Sequence, residues 1–112
     1  MENPEFDIYP KIAQGMSLNQ HWFREGVPLA ELAAVLVGMA NSQGGSIYLG
    51  VNPGTGKIEG VRDIPGAIDN LFRACLLVEP TLVLPVPRSY QVAKTKILVI
   101  SIPPGLPHVF NL

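Results

Sequence analysis

The spacing of apolar residues predicts a helix over residues 28–40. In this segment apolar side chains recur every three or four positions, as on the buried side of an amphipathic helix. They are Leu29, Leu32, Ala33, Leu36, Met39 and Ala40. Pro28 suits the first turn of a helix. Asn41, Gly44 and Gly45 should end the helix, because these residues tolerate the positive φ of helix ends and tight turns.

Alternating apolar residues then predict a buried strand. Ile47, Leu49 and Val51 occur at every second position, so they share one side of an extended chain. Residues 52–56 contain Asn, Pro and two glycines and should form a turn. Residues 57–61 should then return as an antiparallel strand.

A second helix is expected after this hairpin. Asp63 is a candidate N-cap, and Pro65 suits the first turn. Glu79 followed by Pro80 should close the helix, because the residue before proline disfavours the helical conformation. The expected buried stripe consists of Ile64, Ile68, Leu71, Phe72 and Cys75.

Two further strands are predicted over residues 82–92 and 96–102, joined by a turn at residues 93–95. Pro85 and Pro87 remove backbone donors from one side of the first strand, so that side should be an open sheet edge or a bulge. Together these elements predict an α+β fold. We expect a mixed or mainly antiparallel sheet of about four or more strands, with two helices.

Length and composition indicate one domain. The chain has 112 residues, of which 47% are hydrophobic. We expect a single domain over residues 1–112, in which residues 1–11 form an N-terminal extension and residues 103–112 a proline-rich C-terminal segment. The acidic start lacks the pattern of a secretory signal, and the apolar runs are too short to span a membrane. The single cysteine fits a reducing compartment, so we expect a cytoplasmic protein without membrane contact.

The charges are few but unevenly distributed. The net charge is −1, which argues against tight nonspecific binding to nucleic acid. From residue 80 to residue 112, however, the only charged residues are Arg88, Lys94 and Lys96. These three cations are either a small patch for an anionic partner or the solvated surface of a hairpin.

Spacing argues against two kinds of small-ligand site. Residues 54–57 read Gly-Thr-Gly-Lys, but a phosphate-binding loop needs a glycine where Val51 stands and a Ser or Thr where Ile58 stands. The two histidines and one cysteine of the chain are too few ligands for a zinc site. We therefore expect neither a cofactor nor a bound metal.

The segment MANSQGGSIYLGV at residues 39–51 is followed by a glycine-bearing turn and by IEGV at residues 58–61. This arrangement resembles the Schlafen AlbA-type DNA-binding domain family, and the resemblance covers the chain from roughly residue 12 onward. It implies a nucleic-acid-binding module, for DNA or RNA, of the kind found within larger bacterial transcriptional regulators.

The resemblance also implies that some relatives cleave RNA with acidic residues, and this chain departs from that pattern. Its two early glutamate positions hold Met16 and His21, and the acidic position after the strand holds Asn52 or Pro53. Metal-assisted cleavage of a phosphodiester needs carboxylates that gather divalent cations. We therefore expect a form without the nuclease site and with no catalytic residue.

In a binding module of this family we expect contacts mainly to phosphates. The candidate cations are Arg62, Arg73, Arg88, Lys94 and Lys96. The turn containing Asn41, Gly44 and Gly45 would add backbone donors. The alternative function is a protein-interaction or homodimerisation module, which the near-neutral charge and the proline-marked sheet edge favour. A divergent Schlafen-like nuclease is the third hypothesis.

Overall fold

The structure, a computed structural model, describes residues 6–104 and 109–112. Its elements are α1 (Ile8–Gln14), β1 (Gln20–Phe23), α2 (Leu29–Ala40), β2 (Gly45–Leu49), α3 (Ile64–Leu76), β3 (Arg88–Val92) and β4 (Thr95–Ile102). The predicted α+β class is confirmed, although the described residues contain three helices rather than two. Among these residues no helix has the length and apolar character needed to cross a membrane.

The strands of the described residues form one mixed sheet in the order β1-β2-β4-β3. β1 and β2 are parallel, and α2 makes the crossover between them. β4 is antiparallel to both of its neighbours, β2 and β3. β1 and β3 are therefore the two edges of the sheet.

The larger core lies between the sheet and the helices α2 and α3, and we call this side of the sheet the helical face. It is built from alternate residues of the central strands and from the inner sides of the two helices. Its fully buried members include Leu32, Leu36, Ile47, Leu49, Leu71, Leu98 and Ile100. Burial of these aliphatic side chains is the main source of stability.

The opposite side of the sheet, which we call the α1 face, carries a smaller core. Ile8 of α1 packs there with Trp22, Tyr48 and Ile97, all of which are buried. The β3–β4 half of this face is more open, since Arg88 at its margin is exposed.

The structure confirms the predicted start of α3, but the set of buried residues on this helix differs from the prediction. The Asp63 carboxylate accepts the N–H of Gly66 at 3.0 Å, as an N-cap does. The prediction that Phe72 is buried is wrong, because its side chain is 45% exposed. Leu71 and Cys75 face the core, and in a helix Phe72 points about 100° away from Leu71.

Two predicted strand segments are wrong. Residues 57–61 make only an isolated bridge, between Val51 and Ile58, because β2 is already paired with β1 on one side and β4 on the other. Residues 82–87 are irregular, and β3 begins at Arg88, directly after Pro87. A proline cannot donate to a strand ladder, which explains this late start. β3 is nevertheless a sheet edge, as the prolines predicted.

The ends of the domain contribute more than the sequence predicted. α1 begins at Ile8, inside the expected N-terminal extension, and the Ile8 side chain is buried. At the other end Phe110 is only 4% exposed and joins the larger core. Residues 105–108 of the expected proline-rich segment lie outside the described residues.

Candidate nucleic-acid interface

The turn between α2 and β2 presses its two glycines against other backbone. Gly44 has φ +77°, and a Cβ there would collide with the carbonyl oxygen of Ile102. A Cβ on Gly45 would lie 2.6 Å from the carbonyl oxygen of Asn19. Side chains do not fit at either position, so this pair of glycines has a packing function.

Several polar groups of the same turn are bonded within the protein. The N–H groups of Ser42 and Gly44 both donate to the carbonyl oxygen of Met39, at 3.1 and 2.9 Å. The N–H of Asn41 donates to the carbonyl oxygen of Val37 at 3.0 Å. The side-chain amide of Asn41 is bonded to the backbone of Phe110. The turn therefore holds the fold together with the donors that the sequence assigned to a ligand.

The three cations of the β3–β4 hairpin are exposed, and none forms an ion pair within the part of the chain that the structure describes. Lys94 lies in the turn between the strands. Arg88 pairs with Val99 across the hairpin, whereas Lys96 pairs with Gln91. Because successive side chains alternate, Arg88 points to the α1 face and Lys96 to the helical face. The hairpin thus carries cations on both sides and at its tip, not in one patch.

Arg62 precedes the start of α3, and Arg73 lies in the last turn of this helix. Val61 donates its N–H to the carbonyl oxygen of Lys96 at 2.7 Å, so Arg62 follows a residue that is bonded to the start of β4. Arg73 forms an exposed ion pair with Asp69 at 2.9 Å. The fold therefore brings Arg62 close to the backbone of Lys96, and it gives Arg73 an acidic partner.

The carboxylates near the ends of β1 and β2 are engaged within the protein. Glu25 accepts the N–H groups of Arg62 and Asp63, at 2.9 and 2.8 Å. Glu59 binds Arg24 through both oxygens, at 2.9 and 3.3 Å. The Arg24 guanidinium, with a smaller contribution from the Asn52 amide, holds the pKa of the Glu59 carboxyl below its ordinary value.

Residues that are not acidic occupy the positions at which the resemblance to nuclease relatives would place acids. Met16 is exposed, and Asn52 donates to Glu59 at 3.2 Å. The His21 ring lies 4.5 Å from the Phe23 ring, and burial lowers the pKa of His21 from its ordinary value. In residues 6–104 and 109–112, no group of three or more His, Cys, Asp or Glu side chains could hold a metal ion.

A groove on the open half of the α1 face was not found from the sequence. It has a volume of about 310 Å³ and is lined by Pro85, Val86, Arg88, Tyr90, Val99 and Ser101. Arg88 is the one sequence-predicted site residue among them. The two-residue spacing of Arg88 and Tyr90 on a strand could have indicated a shared face. The wall formed by Pro85 and Val86 depends on an irregular segment that no periodic pattern predicts.

Comparison with known proteins confirms the family that the motif at residues 39–61 indicated. The sequence matches the family described as Schlafen, AlbA_2 over residues 13–111. The crystal structure of the DIP2311 protein from Corynebacterium diphtheriae is similar, with a TM-score of 0.58 and 18% sequence identity. That match covers 83% of this chain and 19% of the other, so the chain spans about a fifth of that protein's length. At this identity the likeness shows the fold alone, and no curated protein matches the sequence. Because the family match spans nearly the whole chain, this chain belongs to the Schlafen, AlbA_2 family.

Proposed function

We propose that this chain is a noncatalytic nucleic-acid-binding module that works as part of a transcriptional regulator. Membership of the Schlafen, AlbA_2 family over residues 13–111 carries the proposal, since it supports a nucleic-acid-related domain. The single cysteine supports action in the cytoplasm.

The state of the hairpin cations supports phosphate contacts. Arg88, Lys94 and Lys96 are exposed and have no acidic partner among the described residues. A cation without an ion pair can neutralise a phosphate without first breaking an internal contact. Arg62 adds a fourth exposed cation beside the start of β4, whereas Arg73 would first have to leave Asp69. We therefore rank the hairpin cations and Arg62 above Arg73.

The contacts that Glu25 and Glu59 make within the protein support binding of nucleic acid without cleavage. Glu25 fixes two backbone N–H groups before α3, and Glu59 is held by Arg24 and Asn52. A two-metal nuclease needs carboxylates that are free to coordinate cations on both sides of the scissile phosphate. These two carboxylates instead stabilise the loops between the strands and α3.

A salt titration of binding tests the proposal. Labelled duplex DNA and single-stranded RNA of unrelated sequences are titrated with the protein, and the dissociation constant is measured by fluorescence anisotropy across a range of salt concentrations. We expect binding that weakens steeply with salt. Replacing Arg88, Lys94 and Lys96 together by alanine should weaken binding similarly for all sequences. The log–log salt slope should fall by up to about 0.9 per lost duplex-phosphate contact.

A control variant removes two cations outside the candidate set. Lys11→Ala with Lys57→Ala also lowers the net charge but leaves the hairpin intact, so it should weaken binding less per removed charge than the hairpin variant, which loses three. Wild-type protein that shows no salt-sensitive binding at low ionic strength would overturn the proposal. Equal losses of binding free energy per removed charge in the hairpin and control variants would overturn the assignment to the hairpin.

The open edge at β3 favours a second candidate function, a homodimerisation module. β3 has no neighbour on its outer side within the described residues, and the exposed Val83 and Val86 precede it. Antiparallel pairing of two β3 edges would continue the sheet across a two-fold axis. Light scattering across protein concentration tests this function. A dimer that is insensitive to both salt and nucleic acid would favour it over nucleic-acid binding.

A further inference from the structure

The groove on the β3–β4 half of the α1 face combines four kinds of group on one surface. Arg88 and Tyr90 lie two residues apart on β3, so both side chains point to this face. Val99 lies opposite Arg88 on β4, and Ser101 follows two residues later on the same face. Pro85 and Val86 form the remaining wall. The surface thus offers a cation, an aromatic ring, a hydroxyl and an apolar wall.

The aromatic ring in this groove is supported from the side of the core. The Phe6 ring lies 5.0 Å from the Tyr90 ring and 5.7 Å from the Tyr48 ring, between centroids. Tyr48 in turn stacks on Trp22 at 6.4 Å. Tyr90 is therefore the outermost member of a packed series of rings, and it is half-buried, whereas Tyr48 and Trp22 are buried. A ring held in this way presents a pre-ordered surface to a ligand.

The charges of the groove favour an anionic ligand. None of its lining residues is acidic, and Arg88 has no ion-pair partner within the described residues. The volume of about 310 Å³ is at the lower end of the range for small-ligand sites, which suits one nucleotide unit better than a folded partner. A cation two residues from an aromatic ring can contact a phosphate while the base lies on the ring.

We infer that this groove binds an unpaired nucleotide of single-stranded nucleic acid, with the base against Tyr90 and the phosphate against Arg88. The inference rests on the proposed function and narrows it to a class of ligand. A base in a duplex has both faces covered by its neighbours in the stack, so it cannot lie on Tyr90. An unpaired base has a free face, and stacking on an aromatic side chain tolerates any sequence.

The test compares single-stranded and duplex ligands. A labelled oligothymidylate of about ten nucleotides, a usual site size for a small domain, and a duplex of equal length are titrated by anisotropy at one low salt concentration. We expect tighter binding of the single strand. Tyr90→Leu should weaken binding of the single strand about 5- to 140-fold and leave duplex binding nearly unchanged. Tyr90→Phe keeps the ring and should retain the affinity for the single strand.

Two further variants separate the groove from the rest of the hairpin. Arg88→Gln should make the salt slope for the single strand shallower by about 0.7, the value for one phosphate contact. Ser89→Ala changes an exposed residue of the same strand on the helical face and should have no effect. Thermal melting of each variant checks that the fold is retained. If Tyr90→Leu melts early, the preference of the wild type for the single strand over the duplex and the chemical-shift measurement described below carry the test.

The outcomes distinguish this inference from the proposed function. No salt-sensitive binding to either ligand would overturn both. Salt-sensitive binding that favours the duplex, or that is unchanged in a folded Tyr90→Leu variant, would leave the proposed function standing and overturn the groove. Chemical-shift changes on adding thymidine monophosphate give an independent readout. They should be concentrated at the amides of Tyr90, Val99 and Ser101, and shifts elsewhere alone would contradict the inference.

Discussion

The side-chain amide of Asn41 is bonded to both polar groups of the Phe110 backbone. Its Nδ2 donates to the Phe110 carbonyl oxygen at 2.8 Å, and its Oδ1 accepts the Phe110 N–H at 2.8 Å. The two residues are 69 positions apart, so this pair fastens the C-terminal segment to the end of α2. The Phe110 side chain is thereby held in the larger core. Asn41 of the MANSQGGSIYLGV motif therefore has a structural role, since it holds the C-terminal segment to the end of α2.

Removing this contact between Asn41 and Phe110 should destabilise the domain. In Asn41→Ala the partly buried N–H and carbonyl groups of Phe110 lose these bonds, so we expect the free energy of unfolding to fall by about 1–3 kcal/mol. Chemical denaturation measures the change. Gln43→Ala, at an exposed position of the same turn, is the control and should alter stability little. A loss below the experimental error in Asn41→Ala would contradict the structural role.

The two glycines of the turn should tolerate substitution less than a helical glycine nearby. Gly44→Val and Gly45→Val should each lower the free energy of unfolding by more than about 1 kcal/mol, since their side chains would overlap backbone of residues 102 and 19. Gly38→Ala is the matched control, because it lies in α2 with no atom within 4 Å of the added Cβ. It should stabilise the domain by about 0.5–1 kcal/mol. Unchanged melting in both valine variants would contradict the packing explanation.

The partial burial of the His21 imidazole should make the stability of the domain depend on pH. Burial lowers the pKa of His21 in the folded protein, and its Nδ1 is buried without a hydrogen-bond partner among the described residues. As pH falls below about 6.5, the unfolded chain takes up a proton that the folded protein resists. The free energy of unfolding should therefore fall as the pH is lowered from 7.5 to 5.5, a range that brackets the ordinary histidine pKa of about 6.5 in the unfolded chain.

His21→Phe keeps an aromatic ring beside Phe23 but cannot titrate, which makes it the reference for this pH effect. Denaturation midpoints of both proteins are measured at the two pH values. The wild type should lose more stability than the variant on acidification, because all other titrating groups are shared. Equal losses would show that His21 is not the source of the pH dependence.

The sequence predicted the elements whose apolar pattern is long and regular. α2, β2 and α3 each combine a clear period with a local end signal, such as Asp63 before α3. α1 and β1 have seven and four residues, too few for a distinct period. The false strand over residues 57–61 has a suitable local pattern, but both edges of β2 are taken by partners distant in sequence. Such competition cannot be read from a local window.

The candidate interface, like the fold, was only partly predictable from the sequence. The sequence identified Arg88 and Lys96 as exposed cations but could not show that they lie on opposite faces, because the strand register decides this. It also assigned the donors of the glycine turn to a ligand, whereas the fold uses them for the end of α2. The groove at Tyr90 needs the irregular segment at Pro85 and Val86 to pack beside β3 and β4. Long-range packing of this kind leaves no periodic signal.

The purified domain should not cleave RNA or DNA when magnesium or manganese is added. The motif positions that would supply acids hold Met16, His21 and Asn52, and the Glu59 carboxylate is occupied by Arg24 and Asn52. A divalent cation at Glu59 would have to compete with the Arg24 guanidinium for both carboxylate oxygens. Gel assays on labelled single-stranded and duplex substrates, with and without chelator, measure the activity. Glu59→Gln tests whether any activity depends on this carboxylate of the chain, since Glu59 is at the surface and its loss creates no cavity. Metal-dependent cleavage that persists through purification in the wild type and disappears in Glu59→Gln would establish a divergent nuclease in place of a noncatalytic module.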